Sequence, residues 1–377
     1  MKKLYKTLFE MILLMMVGSF GILFLLCSPK ESATHSHVQK AALRRVLLPK
    51  STVTKAKITK TGSVCKVNAS VLQLPGFSEQ PAHIQDYLKY RHCRAFELLR
   101  NLPDKCREEV FLLLVVKSNL FNYNQREMVR KTWGKEREIQ GVRIRRIFIV
   151  AQTPNLQERG KANQLLEIEN KEHQDILQWD FLDSFFNLTL KQYLFLQWMD
   201  DYCPSAQFIF NGDDDVFANT DNMVEFLLSS GSGQKHLYVG HLIYGVGPIR
   251  EKWSKYFIPE IVTTSKSYPS YVGGGGILMS YFTSKAIYKA SQTLQLYPID
   301  DVFFGMCLEK AGLSPKSHMG FRTAGVRDPS SNRISFDPCF YRELLLVHRF
   351  CPYELLLMWK AVHDPNLKCS LSQDTPT

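Results

Sequence analysis

Between positions 110 and 217 the chain alternates short continuous apolar runs with longer segments of helical spacing. No other feature restricts the fold as much. Residues 110–116, 144–150 and 176–181 have the length and unbroken hydrophobicity of strands buried on both faces. Residues 125–133, 156–169 and 188–199 lie between and after them, and in the last of these Leu190, Leu194 and Trp198 are spaced for one helical face. Strand, helix, strand order predicts an α/β fold: a mostly parallel sheet with helices on both faces. Ligands of such sheets bind beyond the carboxyl ends of the strands.

The next apolar run, Phe208-Ile209-Phe210, closes on Asn211-Gly212 and then on Asp213-Asp214-Asp215. Three adjacent carboxylates at a strand end repel one another, each pair by roughly 4 kcal/mol at ~4 Å and an effective dielectric of 20. A hard divalent cation relieves that repulsion, and Mg²⁺ or Mn²⁺ takes carboxylate oxygens together with substrate phosphates. A solvated acidic turn is the plain alternative.

Three later stretches are placed to complete a site. Gly273 to Gly276 precede an apolar run, and without Cβ atoms their backbone can approach a ligand closely or form a flexible turn. Asp300-Asp301 precede Val302, Phe303, Met306 and Cys307, which share a helical face; one Asp suffices as a cap, leaving the second for acid–base work. His348 ends the apolar run 344–347, where an imidazole is either structural or a ligand.

The net charge of +11 raises a nucleic-acid or membrane-surface partner. Its location argues against nucleic acid. Residues 1–66 hold twelve Lys or Arg against Glu10 and Glu31, so nearly all of the excess lies outside the predicted fold. Residues 11–27 carry no charge and follow Lys2, Lys3 and Lys6, a helix of ~25 Å that suits a thin bilayer with the N-terminus cytosolic. A cleaved signal peptide shares this start, but Leu25-Leu26-Cys27-Ser28-Pro29 is a poor small-residue cleavage site. The expected organisation is a cytoplasmic tail at 1–10, an anchor at 11–27, a lumenal stem at 28–79 and a catalytic domain at 80–377 that opens with a helical stretch over 80–99. Eight cysteines follow the anchor, none in a CxxC pair, and their even number in a lumenal compartment favours disulfides of undetermined pairing. The sequons at Asn68 and Asn187 agree with that compartment.

Taken together, Arg126 and Arg130 with Thr132-Trp133-Gly134, Gly212-Asp213-Asp214-Asp215-Val216-Phe217, Gly273 to Gly276, Asp300-Asp301-Val302 and Val347-His348-Arg349 resemble the animal β-1,3-glycosyltransferases of the galactosyltransferase/fringe type. Tyr90-Arg91-His92-Cys93-Arg94, residues 176–181 and residues 185–191 look most like the β-1,3-N-acetylglucosaminyltransferases. The resemblance covers roughly residues 90–369, with Gln125 where the family often has an arginine before Arg126. It implies a GT-A type, Rossmann-like fold and a single-pass type II enzyme of the Golgi membrane. It also implies UDP-GlcNAc as donor, Mn²⁺ as cofactor and galactose-terminated glycans of glycoproteins or glycolipids as acceptors, for poly-N-acetyllactosamine or mucin-type chain extension. It leaves open a homo- or heterodimer with related glycosyltransferases.

By position, the resemblance makes Asp215 and His348 the metal ligands and Asp301 the general base. Asp213 and Asp214 would shape the nucleotide and metal site, while Arg126, Arg130, Gly274 and Gly275 would lie near the donor. A base at a helix N-terminus is expected to stay ionised and to lose basicity. Acceptor choice is expected to rest on the 244–271 loop, where Trp253, Tyr256 and Phe257 either stack on sugars or belong to the core. A galactosyltransferase shares the same metal site and base. A non-enzymatic lumenal glycan-binding protein would be marked by loss of Asp215, Asp301 or His348, and all three are present.

Overall fold

The computed structural model describes residues 65–231, 235–326 and 335–369. The tail, the anchor and the stem up to residue 64 lie outside the described residues, among which no helix is long and apolar enough to cross a membrane. Helix α1 (Ala82–Tyr90) and edge strand β1 (Leu98–Arg100) come first. Strand β2 (Val110–Lys117), helix α2 (Tyr123–Lys131), strands β3 (Glu138–Ile139) and β4 (Val142–Gln152), helix α3 (Leu156–His173), strand β5 (Ile176–Leu182), helix α4 (Leu188–Tyr202) and strand β6 (Ala206–Asp213) follow. Past the acidic triplet lie β7 (Val216–Ala218), α5 (Thr220–Phe226), β8 (Tyr238–Ile243), β9 (Tyr271–Ser280), α6 (Tyr281–Ser291) and α7 (Asp300–Lys310). The order ends with β10 (Lys316–Ser317), β11 (Phe321–Arg322), α8 (Pro338–Arg342), β12 (Leu346–His348) and α9 (Pro352–Val362).

The large sheet runs β1-β5-β4-β2-β6-β9-β8-β10, with β3 paired to β4. Strand β2 is parallel to β4 and β6, and β4 to β5, as the alternation requires. Along β2, Leu112, Leu114 and Val116 pack on one side with α2, α3 and α9. Val110, Leu113 and Val115 pack on the other with α4, α6 and α7. Alternate residues of a strand face opposite ways, so burial on both faces is what makes these runs continuously apolar.

The sheet is mixed rather than mostly parallel, because β9 runs antiparallel to both β6 and β8. A parallel neighbour needs a crossover, usually a helix, and the 244–270 connection between β8 and β9 contains none. Nor is the glycine run a turn before a strand, since Gly273 to Gly276 are inside β9 itself. A second sheet, β11-β12-β7, lies at the end of β6.

The packed unit starts earlier than residue 80. Val71 and Phe77 are buried against Ile84, Tyr87, Leu88 and Phe257, and Cys65 is joined to Cys93. This segment is a single short turn, Ala69–Gln73, so it has no periodicity to read. The helix expected over 80–99 stops at Tyr90, and Leu98–Arg100 pairs as a strand with β5. Cys106–Cys203 and Cys339–Cys369 are joined as well, and Cys351 is also disulfide-bonded, whereas Cys307 is a free thiol buried in the core beside α4 and α6.

Candidate active site

A cleft of about 570 Å³ opens at the carboxyl ends of β2, β4 and β6, where a parallel sheet is expected to bind its ligand. Asp213, Asp214, Asp215, Gly274, Gly275, Asp300, Asp301 and His348 all line it. The tertiary contacts that assemble them are specific. Trp133 is fully buried and its Nε1–H donates to the Val216 carbonyl at 2.9 Å, which fixes the turn after the triplet. Strand β12 then pairs antiparallel with β7, setting His348 opposite Val216, and the Phe350 N–H donates to the Asp215 carbonyl at 2.7 Å.

The three carboxylates of the triplet differ in their surroundings. Asp213 Oδ1 is 3.0 Å from Lys117 Nζ, and Asp215 Oδ1 is 3.2 Å from His348 Nε2. Asp214 is buried and accepts from the Ser118 hydroxyl at 2.6 Å and from Asn122 Nδ2 at 2.9 Å. It therefore ties the 118–122 loop to β6. Burial pushes Asp214 up to about 6, against those two hydrogen bonds. Burial also opposes the Asp215 charge, but His348 and Arg349 outweigh it and hold that carboxyl below the usual range.

Donor atoms of Asp213, Asp215 and His348 lie within 4.8 Å of one another. Two carboxylate oxygens and an imidazole nitrogen this close together form a donor set that suits a borderline-hard divalent ion such as Mn²⁺. The other grouping of this kind among the described residues, Cys65, His92 and Cys93, is consumed by the Cys65–Cys93 disulfide.

Asp300 and Asp301 open α7, and neither side chain caps it. Asp300 is instead 3.5 Å from Lys117 Nζ, so one ammonium is shared between the acid at the end of β6 and the acid pair on α7. Burial works against the Lys117 charge, but Asp213, Asp300 and Asp301 outweigh it and keep it protonated. Asp301 departs from the expectation of a weakened base: burial and the adjacent Asp300 push its carboxyl well above the usual range, against Lys117. Desolvation and like charge here exceed the pull of the helix terminus, which is worth at most about 2 kcal/mol.

The glycine run serves this geometry. Gly274 and Gly275 have φ of +81° and +93°. A Cβ on Gly275 would lie 3.2 Å from His348 Cγ, and one on Gly273 would lie 3.4 Å from Asp301 Oδ2. Side chains are excluded by other neighbours, since a Cβ on Gly274 would lie 2.5 Å from Thr323 Cβ and one on Gly273 2.7 Å from Ile243 Cδ1, so the run stays bare backbone beside the candidate ligand and the candidate base.

Arg126 and Arg130 do not face the cleft. Arg126 is fully buried and makes a bidentate pair with Glu169 at 2.7 Å, with further bonds to Ser118 Oγ and the Asn119 and Leu120 carbonyls. It shapes the 118–120 wall from behind. Arg130 makes a bidentate pair with Asp175, which Arg146 also grips. Guanidinium forks match carboxylates as well as phosphates, so the arginines in the motif cannot by themselves distinguish the two. Two lysines were missed by sequence reasoning: Lys117, and Lys191, which bridges the Ser118 carbonyl and Asp183 at 2.8 Å each. Lys117 directly follows a predicted strand and Lys191 lies in the first turn of a predicted helix, places where a lone cation reads as solvated. In the 244–270 loop the aromatics divide: Phe257 is core at 4% exposure, Tyr256 lines the cleft and Trp253 is 88% exposed.

Comparison with known proteins gives the family. The family described as galactosyltransferase matches residues 124–319. The chain is 58% identical over 306 residues to the N-acetyllactosaminide β-1,3-N-acetylglucosaminyltransferase 3 of Homo sapiens, covering 81% of this chain and 82% of that protein. It is 50% identical to the acetylgalactosaminyl-O-glycosyl-glycoprotein β-1,3-N-acetylglucosaminyltransferase of Homo sapiens, covering 82% and 81%. It is 46% identical to the UDP-GlcNAc:βGal β-1,3-N-acetylglucosaminyltransferase 7 of Mus musculus, covering 81% and 78%. With the acidic triplet, the glycine strand and the acid pair assembled in one cleft, the chain belongs to the galactosyltransferase family, among its β-1,3-N-acetylglucosaminyltransferases.

Proposed function

We propose that this protein is an inverting transferase of GT-A type that moves GlcNAc from UDP-GlcNAc onto the 3-hydroxyl of a terminal galactose, making a β-1,3 linkage. The observation that carries the reading is the position of Asp301, in the same cleft as Asp213, Asp215 and His348. The names of the relatives supply the sugars.

Asp213, Asp215 and His348 are the groups that would hold Mn²⁺, which when bound neutralises a diphosphate and stabilises its departure as a Lewis acid. Asp301 accepts the proton of the acceptor 3-hydroxyl as that oxygen forms its bond to the anomeric carbon. The bond from that carbon to the UDP oxygen breaks on the opposite face, and α becomes β. A carboxylate whose pKa is raised toward the working pH is the stronger general base, and burial beside Asp300 provides this. Lys117 limits the rise and keeps the acid pair at a fixed distance from Asp213. Asp214, Lys191 and Arg126 hold the 118–122 wall, and so the orientation of whatever the cleft binds.

The catalytic unit is placed in the Golgi lumen, tethered through residues 11–27. Disulfides at Cys65–Cys93, Cys106–Cys203 and Cys339–Cys369 support an oxidising compartment. The decisive experiment incubates the enzyme with UDP-GlcNAc, Mn²⁺ and an array of galactose-terminated acceptors, with linkage analysis of the product. Transfer of a different sugar, or to a different hydroxyl, would reject the assignment.

A further inference from the structure

A second cavity, of about 800 Å³, adjoins the catalytic cleft and shares Pro154, Asp183 and Ser184 with it. Its inner wall is aromatic and apolar. Tyr87, Phe181 and Leu190 are buried there, and Phe96 and Phe186 are half-buried. The rim carries the exposed carboxylates of Asp86, Glu97 and Asp180, set against Arg159 and His83. Arg159 donates to the Thr153 carbonyl through Nη2, and its Nε has no partner among the described residues.

The two cavities are joined by a run of rings. In the catalytic cleft Tyr256 meets Phe185 at 5.5 Å between centroids, with Lys255 over both. Phe185 meets Phe186 at 5.6 Å, and Phe186 meets His83 at 4.6 Å in the second cavity. This path starts in the cleft that contains Asp301 and ends beyond it.

The chemistry of the second cavity selects its ligand. Asp86 is paired with Lys89 at 3.1 Å, and the rim carboxylates Glu97 and Asp180 repel a nucleotide or another anion. A neutral sugar fits: its hydroxyls donate to carboxylates, and its C–H faces pack on aromatic rings. We propose that this cavity is a distal carbohydrate subsite that holds inner sugars of the acceptor glycan while its terminal galactose reaches Asp301. The proposal rests on the transferase reading given above. Asn187 also lines the cavity and heads a sequon, so a glycan on the enzyme itself is the rival occupant.

The test measures KM for galactose-terminated di-, tetra- and hexasaccharides and for UDP-GlcNAc, in the full-length enzyme and in three variants. His83→Ala and Phe186→Ala are expected to raise the hexasaccharide KM roughly 2- to 10-fold, the size of one aromatic contact, with disaccharide and donor KM unchanged. Asn187→Gln is expected to leave the length dependence as it is in the unaltered enzyme. His83 is exposed on α1, so its variant keeps the test valid should Phe186→Ala fail to fold. Equal KM across acceptor lengths in the unaltered enzyme, or an equal shift at every length in the variants, overturns the subsite. A length dependence that emerges only in Asn187→Gln assigns the cavity to the enzyme's own glycan and overturns it too. Absence of transfer to every acceptor overturns the transferase reading together with the subsite, whereas transfer without a length effect overturns the subsite alone.

Discussion

His348 Nε2 lies 3.2 Å from Asp215 Oδ1 because β12 pairs with β7 immediately after the acidic triplet. This pairing turns a strand-end carboxylate and a distant imidazole into one donor set. Asp215→Ala or His348→Ala should therefore weaken Mn²⁺-dependent UDP binding by about 100-fold or more, taking outer-shell losses of about 10- to 100-fold as a lower bound. Titration calorimetry with and without Mn²⁺ measures this. Unchanged affinity removes the residue from the ligand set.

Asp301→Asn keeps the size of the side chain and abolishes its basicity. Turnover should fall by about 10²- to 10⁴-fold while the donor KM is retained. Normal turnover in this variant would rule out Asp301 as the base.

The acid pair also predicts a pH effect. As the proposed base Asp301 works ionised, so kcat/KM is expected to rise with pH through its pKa, which burial and Asp300 hold above the usual carboxylate range. Asp300→Asn removes a neighbouring negative charge and should move the acidic limb of the profile to lower pH. A limb that stays in place separates Asp300 from the titration.

Asp175 is fully buried between Arg130 and Arg146. Burial opposes its charge, but the two arginines outweigh it and depress its pKa. Its contribution is thus present above the unfolded value of about 4 and is lost as pH falls through the lower folded value. Asp175→Asn removes the charge that faces Arg146, while Arg130 keeps Glu169 at 2.7 Å, and should cost about 3 kcal/mol at neutral pH, the lower end for breaking a buried pair. Urea unfolding at pH 7 and at pH 3 checks both points, with a smaller difference expected at pH 3.

Cys106 and Cys203 are 97 residues apart in sequence and joined in space. Replacing both with serine frees a long loop in the unfolded chain and should cost about 2–5 kcal/mol. Calorimetry should show a lower Tm with activity retained below it. An unchanged Tm would mean that the crosslink does not constrain the unfolded state.

Local pattern alone settled much of this molecule. The apolar runs at 110–116, 144–150 and 176–181 became β2, β4 and β5, and the helices between them differ from expectation only at their ends. Unbroken hydrophobicity at strand length reports burial on both faces, and a helical stripe reports burial on one. The motif carboxylates, Gly274, Gly275 and His348 were legible as well, since an acid triplet after a strand and a glycine run have few structural uses. What needed the tertiary structure was the partner of each charge. Arg126 and Arg130 pair with Glu169 and Asp175 behind the cleft wall, Lys117 and Lys191 brace the cleft, and the Asp301 carboxyl is held above rather than below the usual range. Periodicity fixes which face of an element is buried, but a side chain's pKa and its ion-pair partner depend on groups brought together across the fold, and sequence spacing carries no record of those distances.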